Sequence, residues 1–197
     1  MKPFIICAYA TRGIYEDVYR ENLKKSLDEL KLENYVKFIE PAFDWAKNTL
    51  YKSTFAEECL FKFPDRNIIL VDVDAKITRY PKLFEQIPED YVFGARTIHH
   101  ETYYRNGSNN SEILTGTFFI NNNIEARFLV KEWIKASTTG TDQTALKVVV
   151  EKYKPKIYEL PISYCYLTSL PWGAQPYQVC LEPIVEHYSV SRKTKFK

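Results

Sequence analysis

The chain has 197 residues with a net charge of +2, 45% hydrophobic and 26% charged residues, which is an ordinary globular balance for one domain. So small a charge gives no general case for nucleic acid or a membrane surface, and only Ser191–Lys197 is locally basic. Fifteen tyrosines and twelve phenylalanines against six glycines favour regular elements with aromatic packing over a loop-rich scaffold.

Phe4–Ala10 reads as a strand buried on both faces, nearly continuous in apolar character as parallel strands are, and Thr11-Arg12-Gly13 breaks it. Tyr15–Leu32 carries apolar residues at 15, 18, 19, 23, 27 and 30, a helical spacing. Tyr35–Ile39 is a second strand stopped by Pro41, Thr49–Phe63 a second helix stopped by Pro64, and Asn67–Val73 a third strand. This alternation predicts an α/β fold with a mainly parallel sheet, whose ligands sit beyond the carboxyl ends of the strands. Tyr9–Arg12 and Asp72–Asp74 should both lie there.

Further along, Tyr91–Ala95 is a short strand and the polar run Thr97–Glu112 reads as a loop, a lid that orders over a bound ligand. Leu114–Ile120 is a strand, Ile124–Lys135 and Asp142–Tyr153 are helices, and Lys156–Leu160 is a late strand. No repeat or linker divides the chain, so residues 1–197 read as one domain. Four scattered cysteines, with no CxxC pair, read as reduced thiols. The apolar run at the start is too short for a signal peptide or a membrane span, and the expected location is cytoplasmic.

The chemistry concentrates at Ile68-Ile69-Leu70-Val71-Asp72-Val73-Asp74. A buried strand that delivers two carboxylates to its end suits a hard cation such as Mg²⁺ or Mn²⁺, which takes oxygen ligands and shares substrate phosphates. The plain alternative is two solvated carboxylates capping a turn. Asp142-Gln143 opens a helix and could face a sugar, although Thr141 or Asp142 also serves there as an ordinary N-cap. His187 could complete a divalent site and Lys193 could meet phosphate, with a frayed basic tail as the alternative. His99-His100 lack supporting ligands and read as surface histidines.

In this order the motifs resemble those of nucleotide-diphospho-sugar transferases of the GT-A glycosyltransferase fold, over Pro3 to about Lys193. Residues 68–74 look like that family's strand with its D-x-D motif, and Ile77–Phe84 like the segment after it. Leu114–Ile120, with Gly116, is similar to the strand lining the sugar and acceptor site. Trp45–Lys52 is similar to a segment whose lysine meets the donor. Asp142-Gln143 looks like the D-Q pair of retaining members. His187–Lys193 is similar to an H-x-x-G-x-x-K element, departing from it in Ser191 and in having no glycine.

The resemblance implies a GT-A domain with a mixed, mainly parallel sheet, moving a sugar from a nucleoside diphosphate donor, UDP being the common choice, to an acceptor hydroxyl with retention. Ala8, Tyr9, Thr11 and Arg12 would cradle the nucleoside. Asp72, Asp74 and His187 would hold Mn²⁺ or Mg²⁺, with Asp72 also reaching the ribose. Lys52 and Lys193 would add positive charge at the diphosphate, Asp142 and Gln143 would serve the reacting sugar, and Trp172 would face the acceptor. That acceptor, whether a glycan, a lipid-linked sugar, a protein hydroxyl or a modified nucleic-acid base, stays open. Two rivals also stand. A nucleotidyltransferase would usually carry a glycine-rich phosphate loop, which Ala8–Gly13 does not provide. A catalytically silent nucleotide-sugar-binding module would not need all of these residues.

Overall fold

A computed structural model describes residues 2–42, 45–100, 110–168 and 179–189. Its main sheet contains β1 (Phe4–Thr11), β2 (Asn34–Ile39), β3 (Asn67–Val71), β5 (Phe93–His99), β6 (Ser111–Ile120) and β7 (Ile157–Glu159), in the order β2-β1-β3-β6-β5-β7. β6 is antiparallel to both neighbours and the other pairings are parallel, so the sheet is mixed and mainly parallel, as expected. The chain leaves β1 for β2 on one side, then returns to β3 on the other. That reversal opens a crevice between the carboxyl ends of β1 and β3.

Alternation along β1 and β3 divides the core between the two faces of the sheet. Ile5, Cys7, Ile68 and Leu70 pack with Phe55, Leu60, Trp133 and Leu146 from α3 (Trp45–Lys62), α4 (Ile124–Ala136) and α5 (Asp142–Tyr153). Phe4, Ile6, Ile69 and Val71 pack on the other face with Tyr19, Leu23 and Leu27 from α1 (Ile14–Glu21) and α2 (Leu23–Glu29). Burial on both faces accounts for the continuous apolar runs of these strands.

Several boundaries differ from the sequence reading. The single helix expected over Tyr15–Leu32 is two, because Asn22 leaves helical geometry (φ −114°, ψ −80°) and its Nδ2 donates to the Val18 carbonyl at 2.9 Å. The apolar phase continues through the break, so periodicity does not reveal it. β3 stops at Val71, and Asp72–Asp74 form a turn into β4 (Ala75–Ile77). β4 joins β9 (Val185–His187) and β8 (Tyr166–Leu167) in a small second sheet, order β4-β9-β8.

The loop expected over Thr97–Glu112 is also corrected at its ends. Thr97 pairs with Ile113, Ile98 with Glu112 and His99 with Ser111, so β5 and β6 extend as a hairpin arm on backbone hydrogen bonds despite polar side chains. The remainder, from 101 to 109, lies outside the described residues, as does the basic tail. All four cysteines are free thiols. Among the described residues no helix is long and apolar enough to cross a membrane.

Candidate active site

The crevice between β1 and β3 holds a cavity of about 450 Å³, within the range of small-molecule and cofactor sites. One side is lined by Tyr9, Ala10, Thr11, Tyr15, Trp45, Asn48 and Thr49. Tyr9 is fixed from both ends: its ring meets Tyr51 and Phe55, and its hydroxyl donates to the Asn48 carbonyl at 2.9 Å. β1 therefore positions the start of α3 as part of the wall.

The floor is charged. Asp72 follows β3, and its backbone N–H donates to the Gly116 carbonyl at 2.8 Å, which ties the turn to β6. Lys52, buried on α3, places Nζ 2.7 Å from Asp72 Oδ1 and 2.9 Å from Asp142 Oδ2, and donates to the Thr115 carbonyl at 3.2 Å. Burial alone would lower the lysine's pKa, but Asp142 and Asp72 more than reverse this and hold it well above its ordinary value. Burial raises the pKa of Asp72, with Asp74 adding to the rise and Lys52 and His187 opposing it. The Asp72 side chain still keeps 44% of its surface exposed, so a ligand can reach it.

Asp142 begins α5 behind the N-cap Thr141, whose side chain accepts from the Thr144 N–H. The capping reading is thus right for Thr141, while the Asp142 side chain is free to turn to Lys52 and to accept from the Thr115 hydroxyl. Trp133 Nε1 donates to the Asp142 carbonyl at 3.0 Å and fixes the helix start. Gln143 also lines the cavity.

Asp72, Asp74 and His187 form the metal-like group: one donor atom from each lies within 4.8 Å of the others. Two carboxylates and an imidazole are a donor set that fits a divalent cation such as Mn²⁺ or Mg²⁺. The turn and β9 bring them together: Ala75 pairs with His187, and the Tyr188 N–H donates to the Asp74 carbonyl at 3.2 Å. Gly116 makes room, since a Cβ there would stand 3.1 Å from His187 Cε1 and 3.4 Å from Asp72 Oδ2. Burial would lower the imidazole's pKa, but the neighbouring Cys165 and Asp74 lift it to about 10.

Of the residues proposed from sequence, Tyr9, Thr11, Lys52, Asp72, Asp74, Gly116, Asp142, Gln143 and His187 all line this cavity. Ala8 does not. It packs in the core with Ala10 and Tyr19, one step too deep along β1. Arg12 turns outward, its Nε 2.9 Å from Glu40 Oε1 on the exposed surface. Trp172 and Lys193 lie outside the described residues. His99 is exposed, and His100 Nε2 lies 3.5 Å from Glu112 Oε2. The sequence reading did not single out Thr115, Asn48, Thr49, Tyr15 or Cys165 as wall residues. Thr115, Asn48 and Thr49 had a signal, lying in segments already assigned to the site.

No family model matches the sequence, and no curated protein matches it. Solved structures do match in shape. A glycosyltransferase involved in glycosylation of the major capsid of PBCV-1 aligns at TM-score 0.66 and 16% identity, over 97% of this chain and 96% of that one. The GlyE glycosyltransferase of Streptococcus pneumoniae TIGR4 aligns at TM-score 0.63 and 14% identity, over 95% of this chain and 55% of that one. Mouse xyloside xylosyltransferase 1 aligns at TM-score 0.57 and 11% identity, over 96% and 99%. The fold is that of GT-A glycosyltransferases.

Proposed function

We propose that the protein is a metal-dependent glycosyltransferase that moves a sugar from a nucleoside diphosphate donor, UDP in our reading, to an acceptor hydroxyl with retention. The observation that carries this reading is the convergence of Asp72, Asp74 and His187 at the carboxyl edge of a GT-A sheet, on the wall of a cavity large enough for such a donor. Asp72, Asp74 and His187 would hold Mn²⁺ or Mg²⁺, which when bound would supply positive charge against the departing diphosphate.

The remaining residues bind and orient. Tyr9, Thr11, Trp45, Asn48 and Thr49 form the nucleoside wall. Lys52 fixes the distance between Asp72 at the diphosphate and Asp142 at the sugar. Asp142 Oδ2 already accepts from Lys52 and from the Thr115 hydroxyl, which disfavours it as the base that takes an acceptor proton. That favours retention, with Asp142 and Gln143 holding the donor sugar. Lys193 contributes to the diphosphate and Trp172 to the acceptor side.

Incubation with a panel of nucleotide sugars and Mn²⁺ tests the reading. Release of free nucleoside diphosphate, dependent on Mn²⁺ and lost in Asp74→Ala, is the expected result. Pyrophosphate release from a nucleoside triphosphate and a sugar phosphate would instead make the protein a nucleotidyltransferase.

A further inference from the structure

The two nitrogens of His187 face different neighbours. Nδ1 lies 3.6 Å from Asp74 Oδ1, and a Cβ on Gly116 would stand 3.3 Å from that nitrogen and 3.4 Å from Asp72 Oδ2. Nδ1 therefore points toward the carboxylates. On the far side of the ring, Nε2 is 2.8 Å from Thr117 Oγ1, and Thr117 is fully buried. A neutral imidazole offers a lone pair at one nitrogen and carries its proton on the other. Nδ1 can ligate a cation only while the proton stays on Nε2, and a buried N–H needs an acceptor.

The main chain of His187 is already tied down, because the backbone N–H and the hydroxyl of Thr168 both donate to its carbonyl at 3.0 Å. Ring orientation and tautomer are left to the side-chain partners, Asp74 beside Nδ1 and Thr117 beside Nε2. Cys165 also contacts the imidazole, while Thr117 Oγ1 is the partner that stands at hydrogen-bond distance from Nε2, 2.8 Å. We propose that Thr117 is a positioning residue for the metal: its hydroxyl oxygen accepts the Nε2–H of His187 and so presents the Nδ1 lone pair to the ion held with Asp72 and Asp74. The inference rests on the metal assignment made under the proposed function.

Titration of the full chain with Mn²⁺, followed by electron paramagnetic resonance, reads the effect directly. Thr117→Val keeps the side-chain shape and removes the acceptor, so Mn²⁺ affinity should fall by roughly 10- to 100-fold, the usual loss for such an outer partner. Thr117→Ser should restore it. Equal affinity in wild type and Thr117→Val overturns the inference while leaving the metal assignment intact. No Mn²⁺ uptake by the wild type overturns the metal assignment and this inference with it. Nitrogen NMR of His187 in the wild type loaded with diamagnetic Mg²⁺ needs no variant to fold: the proton is expected on Nε2, and a proton on Nδ1 overturns the inference.

Discussion

The ammonium of Lys52 lies 2.9 Å from the Asp142 carboxylate, with each side chain only 8% exposed. A pair this buried differs from the surface pairs of the helices, such as Lys24–Asp28, whose side chains are 49% and 62% exposed. Exposed pairs contribute about 0–1 kcal/mol. Removing one partner of a buried pair leaves an uncompensated charge and costs about 3–5 kcal/mol. Lys52→Met should therefore lose stability in that range in urea denaturation, and adding Asp142→Asn should cost less than the two single losses summed. A Lys52→Met loss below about 1 kcal/mol would contradict the role of Lys52 as counter-ion to the floor.

Two glycines separate packing from function. A methyl on Gly116 meets His187 and Asp72, whereas a methyl on Gly94 stands 3.1 Å from Phe119 Cβ and 3.3 Å from Ile87 Cδ1 in the core. Overpacking costs about 1–3 kcal/mol wherever it occurs. Gly94→Ala should lower the unfolding midpoint and keep Mn²⁺ affinity. Gly116→Ala should lose Mn²⁺ affinity at least tenfold (roughly 1.4 kcal/mol). Mn²⁺ titrations of both variants, beside their denaturation curves, check the contrast. Equal metal affinities would show that the space beside Gly116 does not serve the ion.

The pKa of His187, lifted to about 10 by Cys165 and Asp74 against the effect of burial, gives metal binding a pH dependence of known sign. Below that value the metal-free ring is a cation, and ligation requires the neutral form. Binding must then displace the Nδ1 proton, so Mn²⁺ affinity rises with pH from 6 to 8. Calorimetry in two buffers of different ionisation enthalpy should report release of close to one proton per ion. Release near zero at pH 7 would mean that the ring is already neutral.

The sequence makes the strands at the centre of the sheet plain, since burial on both faces writes itself as uninterrupted apolar runs at Phe4–Ala8 and Ile68–Val71. It also locates Asp72, Asp74 and Asp142, because each lies at the end of an element with a clear pattern. The small sheet is hidden because β4, β8 and β9 are two or three residues long, too short for a period to show. The hairpin arm of β5 and β6 reads as loop because backbone pairing holds it and the side chains are polar. The Lys52 bridge joins α3, β3 and α5, and no local spacing encodes that meeting. Ala8 and Arg12 miss the cavity by one step each, a distinction set by depth along β1 and by the Glu40 partner.

The most direct measurement is calorimetric titration of UDP into the protein with Mn²⁺ and again in EDTA, for wild type and for Asp74→Asn. The account predicts binding that requires Mn²⁺ in the wild type, and an Asp74→Asn variant that stays folded yet behaves as the wild type does in EDTA. UDP binding of equal strength with and without the metal would contradict a donor site built on Asp72, Asp74 and His187.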